Sequence, residues 1–175
     1  MRKVRNIVIH CTAGHSNAEA VQSYFTRPKS KGGRGWKKGG YHRIIEKDGT
    51  IKKMYDFSEI TNGVAGHNSD TIHISYVGGV EILDVNTAKD TRTPYQKNAL
   101  HTCIHEAIKW CKENGQDITK DLGVVGHRDF SKDGNANGVI ESWERIKSCP
   151  SFDVLPEYSM LYASPDRYNK LPYNK

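Results

Sequence analysis

The sequence predicts a single α/β domain, a mixed sheet of about five strands with helices packed on its faces. Three observations lead there. At 175 residues, one core is the economical reading. Runs rich in β-branched residues alternate loosely with stretches of helical periodicity. One Asp-Gly pair between two such runs signals a hairpin, which places an antiparallel pair in the sheet.

The elements follow in chain order. Residues 4–11, VRNIVIHC, read as a strand buried on both faces. Ser16, with Glu19 three residues on, is a capping-box signature for a helix carrying Val21, Tyr24 and Phe25 on one side and ended by Pro28. Residues 29–40 are a Gly- and Lys-rich loop. Tyr41–Glu46 and Ile51–Tyr55 are paired strands around Lys47-Asp48-Gly49-Thr50. Residues 58–71 form a long irregular connection holding His67, and such loops often carry function. Residues 72–82 form a strand interrupted by two glycines, and residues 84–93 a polar loop. Thr93-Pro94-Tyr95-Gln96 opens the clearest helix, with a cap, a proline in the first turn and a capping-box glutamine. Leu100, Cys103, Ile104, Ala107, Ile108 and Cys111 share one side of it, and Gly115 closes it. Leu122–Gly126 is a short strand and Asp153–Tyr158 a short helix. The domain is taken as residues 1–158, with a turn-rich insert at 133–144 and an aperiodic tail at 159–175.

Bulk properties exclude some classes. No run approaches the roughly 18 apolar residues of a membrane span, so membrane insertion is not expected. The apolar run that follows the basic residues of the N-terminus is only about five residues, too short for a signal-peptide core. Synthesis in the cytoplasm without an export signal is the expectation. The net charge of +6 is densest between Arg27 and Arg43. That stretch fits either a solvated basic loop or attraction to a polyanion such as nucleic acid or an anionic cell wall. Cys11, Cys103, Cys111 and Cys149 have no disulfide-framework spacing, so reduced thiols are expected.

The chemistry centres on residues 123–153. GVVGHRDF carries His127, and KSCPSFD carries Lys147 and Cys149. An imidazole and a thiolate suit a borderline-soft metal such as zinc. His10, ending the apolar run NIVIH, is the best third donor. Taken singly, His10 and His127 also fit hydrogen-bonded strand-end histidines, and Cys149 fits a buried free thiol. His101 and His105 are four apart on a helix but flank its apolar stripe and lack the HExxH glutamate, which favours a solvent-exposed pair. His42 must point to the opposite face from Tyr41, and His15 and His73 carry no motif.

The insert Asp133–Glu144 fits the calcium-loop pattern D-x-[DN]-x-[DN]-G-x5-E. Asp133, Asn135, Asn137 and Glu144 would offer side-chain oxygens and Val139 its carbonyl, with Gly138 at the sharp turn. The same residues fit an ordinary turn-rich surface insert.

IVIHCTAG, GGYHRIIEKDG, HNSDTIHISYVGGVE, VVGHRDF and KSCPSFD occur in that order from about Arg5 to Val154. Together they resemble the zinc-dependent N-acetylmuramoyl-L-alanine amidases of type 2, which include the amidase-type lysozymes of bacteriophages and are related to peptidoglycan recognition proteins. The resemblance implies zinc on His10, His127 and Cys149, catalytic roles for Tyr41 and Lys147, and a substrate-groove position for His67. It implies hydrolysis of the amide joining N-acetylmuramic acid to L-alanine in peptidoglycan. Three protein ligands leave a metal position open, as catalytic zinc requires. A phage or prophage endolysin is expected, monomeric and released to the wall through a holin-type pore made by a partner. The rival reading is a muropeptide-binding recognition module that does not cleave. Members of that kind typically lack the zinc cysteine, which this chain has at Cys149. A nucleic-acid-binding protein with structural zinc is disfavoured, because no such motif is present and structural zinc needs a fourth protein ligand.

Overall fold

The computed structural model describes residues 2–138, 140–158 and Leu161. Five strands form one sheet: β1 (Asn6–Cys11), β2 (Arg43–Ile45), β3 (Ile51–Lys53), β4 (Thr71–Tyr76) and β5 (Gly123–Gly126). Their spatial order is β3-β2-β4-β1-β5. β2, β4, β1 and β5 run parallel, and β3 pairs antiparallel with β2 across the expected hairpin. The helices are α1 (Ala18–Thr26), α2 (Pro94–Glu113), α3 (Ile118–Asp121) and α4 (Val154–Tyr158). The predicted mixed sheet flanked by helices is therefore the observed architecture. Among the described residues, no helix is long and apolar enough to cross a membrane.

The central strands decide what each sheet face does. β1 is buried along its whole length, and its side chains alternate between faces. Ile7, Ile9 and Cys11 join Ile72, Ile74 and Tyr76 of β4 under the apolar stripe of α2, including Leu100, Cys103 and Ile104. The register pairs Asn6 with Thr71, Val8 with His73 and His10 with Ser75. The face away from α2 therefore carries the polar side chains Asn6, His10, Thr71, His73 and Ser75 together with Val8, on two adjacent buried strands.

Several boundaries differ from expectation for local reasons. Helix α1 starts one residue later than the Ser16 box implies. Asn17 is the cap, its side chain accepting from the Ala20 amide at 2.9 Å. Glu19 does not reach back, because it pairs with Lys52 on β3 at 3.0 Å. Strand β4 ends at Tyr76 rather than running to residue 82. Gly79 turns the chain away at φ 88°, and a Cβ there would collide with the Cys11 side chain. β2 and β3 are shorter than expected, while α2 has its Thr93–Gln96 capping box in full.

The insert closes on itself. Asp133 accepts from the amides of Asn137 at 3.2 Å and Gly138 at 2.7 Å. Asn135 Oδ1 also accepts from the Asn137 amide, at 3.0 Å. Glu144 accepts from the amides of Gly134 at 2.6 Å and Glu141 at 3.0 Å. At its neck, the Ile146 amide donates to Ser131 Oγ at 3.0 Å, and that hydroxyl donates to the Arg128 carbonyl at 2.6 Å. The long detour between His127 and Lys147 is thus pinched shut at its base. Of the expected calcium donors, Val139 lies outside the described residues, as does the tail apart from Leu161.

Candidate metal centre

Three separate parts of the chain deliver the candidate metal donors. His10 occupies the polar face of β1 near its carboxyl end and is fully buried. His127 follows β5, on the neighbouring parallel strand, and opens a single turn over His127–Phe130. The Asp129 carboxylate ties that turn back to the Gly126 amide at 2.6 Å. Cys149 comes from the irregular segment before α4. Its carbonyl accepts from the Arg128 amide at 2.9 Å, and its sulfur accepts from the Cys11 amide at 3.3 Å. Further tethers follow directly. Tyr76 donates its hydroxyl to the Pro150 carbonyl at 2.6 Å, and Ser151 donates to the Gly79 carbonyl at 2.7 Å.

The two separations from His10 fit a shared tetrahedral ion. His10 Nδ1 lies 3.1 Å from His127 Nδ1 and 3.7 Å from Cys149 Sγ. Zn–N and Zn–S bonds near 2.05 and 2.3 Å at tetrahedral angles require about 3.3 and 3.6 Å. Among the described residues this is the one group of His, Cys, Asp or Glu side chains placed to hold a metal, its donor atoms lying within 4.8 Å of one another. The donor set of two imidazoles and a thiol is also the right chemistry for zinc.

Electrostatics favour the ligating protonation states of the histidines. Burial holds His10 neutral, well below its ordinary value, with His127 and His73 adding to the effect. Burial and the Lys147 charge bring His127 down to about 4. Burial pushes the Cys149 thiol well above its usual range. A cation in the site reverses that balance, because a coordinating thiol gives up its proton.

The other predicted residues gather around the same point. The Tyr41 ring centroid lies 5.0 Å from that of His10 and 5.3 Å from Phe25. Burial, then the Cys149 and Cys11 thiols, raise the Tyr41 hydroxyl far above its ordinary range, so it stays protonated. Tyr41, His127, Lys147 and Cys149 line one arm of an open groove of about 540 Å³, walled on its far side by α1. His67 lines a second arm of about 490 Å³, its ring 4.8 Å from Phe130. Arg34, Trp36, His127 and Lys147 line both arms, so the groove passes along the metal site. No aspartate or glutamate among the described residues lines either arm. Arg27, Arg34 and Lys147 leave it cationic. Part of the basic loop is therefore a wall of the groove. Trp36 stacks on Phe25 at 5.1 Å and 9°, and the Arg34 guanidinium lies 5.7 Å from the Trp36 ring.

Some residues do not join the site. His101 and His105 are exposed on α2, at the opposite face of the sheet, as expected. All four cysteines are free. Two buried histidines that the sequence reading passed over do join it. His73 Nδ1 lies 3.1 Å from His10 Nε2, and His42 braces the backbone of His73. The signal for His73 is periodic. In Thr71–Tyr76, Thr71, His73 and Ser75 alternate with Ile72, Ile74 and Tyr76, which puts a polar stripe on one face of a fully buried strand.

Several known proteins are similar to this chain in sequence or in fold. An endolysin of Enterobacteria phage K11 is 25% identical over 146 residues, covering 83% of this chain and 80% of that protein. An uncharacterized protein of Haemophilus influenzae is 34% identical over 107 residues, 61% of this chain and 84% of that protein. Among solved structures, the Ph2119 endolysin from a Thermus scotoductus bacteriophage superposes with a TM-score of 0.60 at 20% identity, covering 91% of this chain and 85% of that one. Drosophila PGRP-LB gives 0.60 at 18% identity, covering 93% and 84%. These two likenesses concern the fold. The family model described as N-acetylmuramoyl-L-alanine amidase matches residues 1–151, and with that match the chain belongs to the N-acetylmuramoyl-L-alanine amidase family.

Proposed function

We propose that this chain is a zinc-dependent peptidoglycan amidase of the type 2 kind, cleaving the bond between the lactyl group of N-acetylmuramic acid and L-alanine, and that it serves as a phage or prophage endolysin. The observation that carries the reading is the meeting of His10, His127 and Cys149 beside a cationic groove that also holds Tyr41 and Lys147. A binding module needs the groove but has no use for a three-ligand centre.

Zinc held by these ligands supplies a Lewis acid and lowers the pKa of a water toward 7. The remaining work falls to the protein. His10 and His127 are kept neutral, hence available as donors, by their burial. Lys147, on the groove edge next to two of the ligands, directs positive charge toward the carbonyl oxygen as it gains negative charge. Tyr41 keeps its proton at neutral pH. It therefore acts as a hydrogen-bond donor and proton carrier rather than as a base. In the balanced reaction water adds across the amide. A new C–O bond forms at the lactyl carbon, the C–N bond breaks, and the L-alanine nitrogen leaves with the proton. Arg27 and Arg34 give the groove a charge that suits the carboxylates of the peptide stem. The insert has no part in this chemistry, and its Asp133 and Glu144 oxygens accept loop amides.

The test pairs metal analysis with digestion of purified peptidoglycan, for wild type and Cys149→Ala. One zinc per chain, with new lactyl carboxyl ends and free L-alanine amines from wild type alone, is the expected result. Zinc without cleavage would replace the amidase by a recognition module. Absence of zinc from wild type in zinc-containing buffer would refute the ligand assignment.

A further inference from the structure

The two nitrogens of His10 face different partners. Nδ1 faces His127 and Cys149, and Nε2 faces His73. A neutral imidazole has one N–H and one lone pair. Only the form with the proton on Nε2 leaves Nδ1 able to bind a metal. The choice between forms follows from a chain of hydrogen bonds that ends well away from the metal site.

The chain begins at Thr71. Its hydroxyl donates to the His67 carbonyl at 2.6 Å. That uses its one proton, so toward His73 Nε2, at 2.8 Å, the same oxygen accepts. The neutral His73 ring therefore carries its one proton on Nε2. His73 Nδ1 is left with a lone pair, 3.1 Å from His10 Nε2. His10 must donate there, which frees its Nδ1. The His73 ring has little room to do otherwise. Its amide donates to His42 Nδ1 at 2.9 Å, and its carbonyl accepts from the His42 amide at 2.8 Å. His42 Nε2 in turn donates to the Glu59 carbonyl at 3.0 Å. On the open side, Gly63 lies against the ring so closely that any Cβ would collide with it.

We infer that His73, held by Thr71, fixes His10 in the tautomer whose Nδ1 can ligate, and so acts as a positioning residue for the metal. The inference rests on the metal-centre reading, but its core concerns proton positions in the protein itself. Outer-shell partners of this kind typically change metal affinity 10- to 100-fold, by order of magnitude. Here the acceptor is a histidine where a carboxylate or carbonyl is usual, and a third residue sets its polarity.

Two measurements on the full chain test it. Long-range ¹H–¹⁵N correlation spectra, of zinc-loaded and chelator-stripped protein, report which ring nitrogen carries hydrogen. The expected pattern is a protonated Nε2 on both His73 and His10. A protonated Nδ1 on His73 in either state would overturn the inference, even if the chain proved to bind no zinc. Zinc affinity by chelator competition is the second measurement. His73→Leu should weaken zinc by about 10- to 100-fold, while His73→Asn, whose amide oxygen can replace the Nδ1 acceptor, should stay within about threefold. Thr71→Val should weaken zinc in the same direction without touching His10. Equal zinc affinity in wild type and His73→Leu, or an equal loss in His73→Leu and His73→Asn, would refute the positioning role while leaving the amidase reading intact.

Discussion

Stripped of metal, the protein should lose stability steeply between pH 7 and pH 5. The cause is the layer of neutral buried histidines. His42 and His127 both fall from 6.5 to about 4, mainly through burial. The unfolded chain therefore binds protons that the folded one refuses, and stability falls as pH drops below 6.5 toward 4. Across pH 7 to 5, linkage gives a loss of about 2 kcal/mol for each. Asp129 opposes them. Burial raises its carboxyl from 3.8 to about 6, so the folded state holds that proton more tightly and regains about 1 kcal/mol over the same interval. The net loss is about 2–3 kcal/mol, and His10 and His73, lowered in the same sense, add to it. With urea slopes of roughly 1–3 kcal/mol per molar, the unfolding midpoint should drop by about 1 M. The assay is urea unfolding followed by circular dichroism at several pH values, with a chelator present. An unchanged midpoint from pH 7 to 5 would refute the claim that the histidines are buried and neutral. Restoring zinc should raise the whole curve and steepen it, because binding stabilises the folded state and removes the Cys149 proton, while the folded histidines carry no proton for the metal to displace.

Three other changes probe different parts of the argument. Lys147→Met should lower kcat by about 10²- to 10³-fold with zinc content unchanged, as removal of an oxyanion-stabilising group does; loss of zinc in this variant would instead make Lys147 part of the metal site's support. Arg92 is almost wholly buried, bonding Glu157 at 2.7 and 2.8 Å and Asp90 at 2.8 and 2.9 Å over the Phe152 ring. Arg92→Leu should therefore cost about 3 kcal/mol and lower Tm by about 10 °C by calorimetry, leaving two half-buried carboxylates unpaired just beyond the Cys149 segment. Gly63→Ala should destabilise by about 1–3 kcal/mol and weaken zinc binding, since the added methyl displaces the His73 ring; zinc titration of the folded variant checks it.

Much of the fold was legible because its signals are local. The Thr93–Gln96 box, the Asp-Gly hairpin and the α2 stripe each lie within one element, and each appears as read. Errors arose where a distant residue competes for a local donor or acceptor. Ser16 with Glu19 is a good box in isolation, but β3 offers Glu19 a lysine and Asn17 is the better-placed cap. The run through Gly78 and Gly79 reads as strand, but Gly79 turns at positive φ with Cys11, 68 residues earlier, packed where a side chain would stand.

The site divides along the same line. His10 and His127 stand at ends of elements and Cys149 in the irregular segment before α4, and the residues flanking them identify them by family resemblance. Their separations in sequence, 117 and 139 residues from His10, carry no geometry, and only the parallel register of β1 with β5 makes the first two neighbours. His73 was invisible to motif reading because its role is set by sheet register rather than by the residues beside it. It sits on β4 opposite Val8, one strand over and two residues short of the position paired with His10. On a parallel sheet such diagonal places belong to the same face. A histidine alternating with isoleucines inside a wholly buried strand is therefore expensive to maintain without a partner. That cost, more than any motif, points back to His10. In a buried strand of this kind, the polar residue that breaks the apolar pattern is the one to trace across the sheet, because its hydrogen-bond partner must lie on a neighbouring strand or on a loop crossing that face.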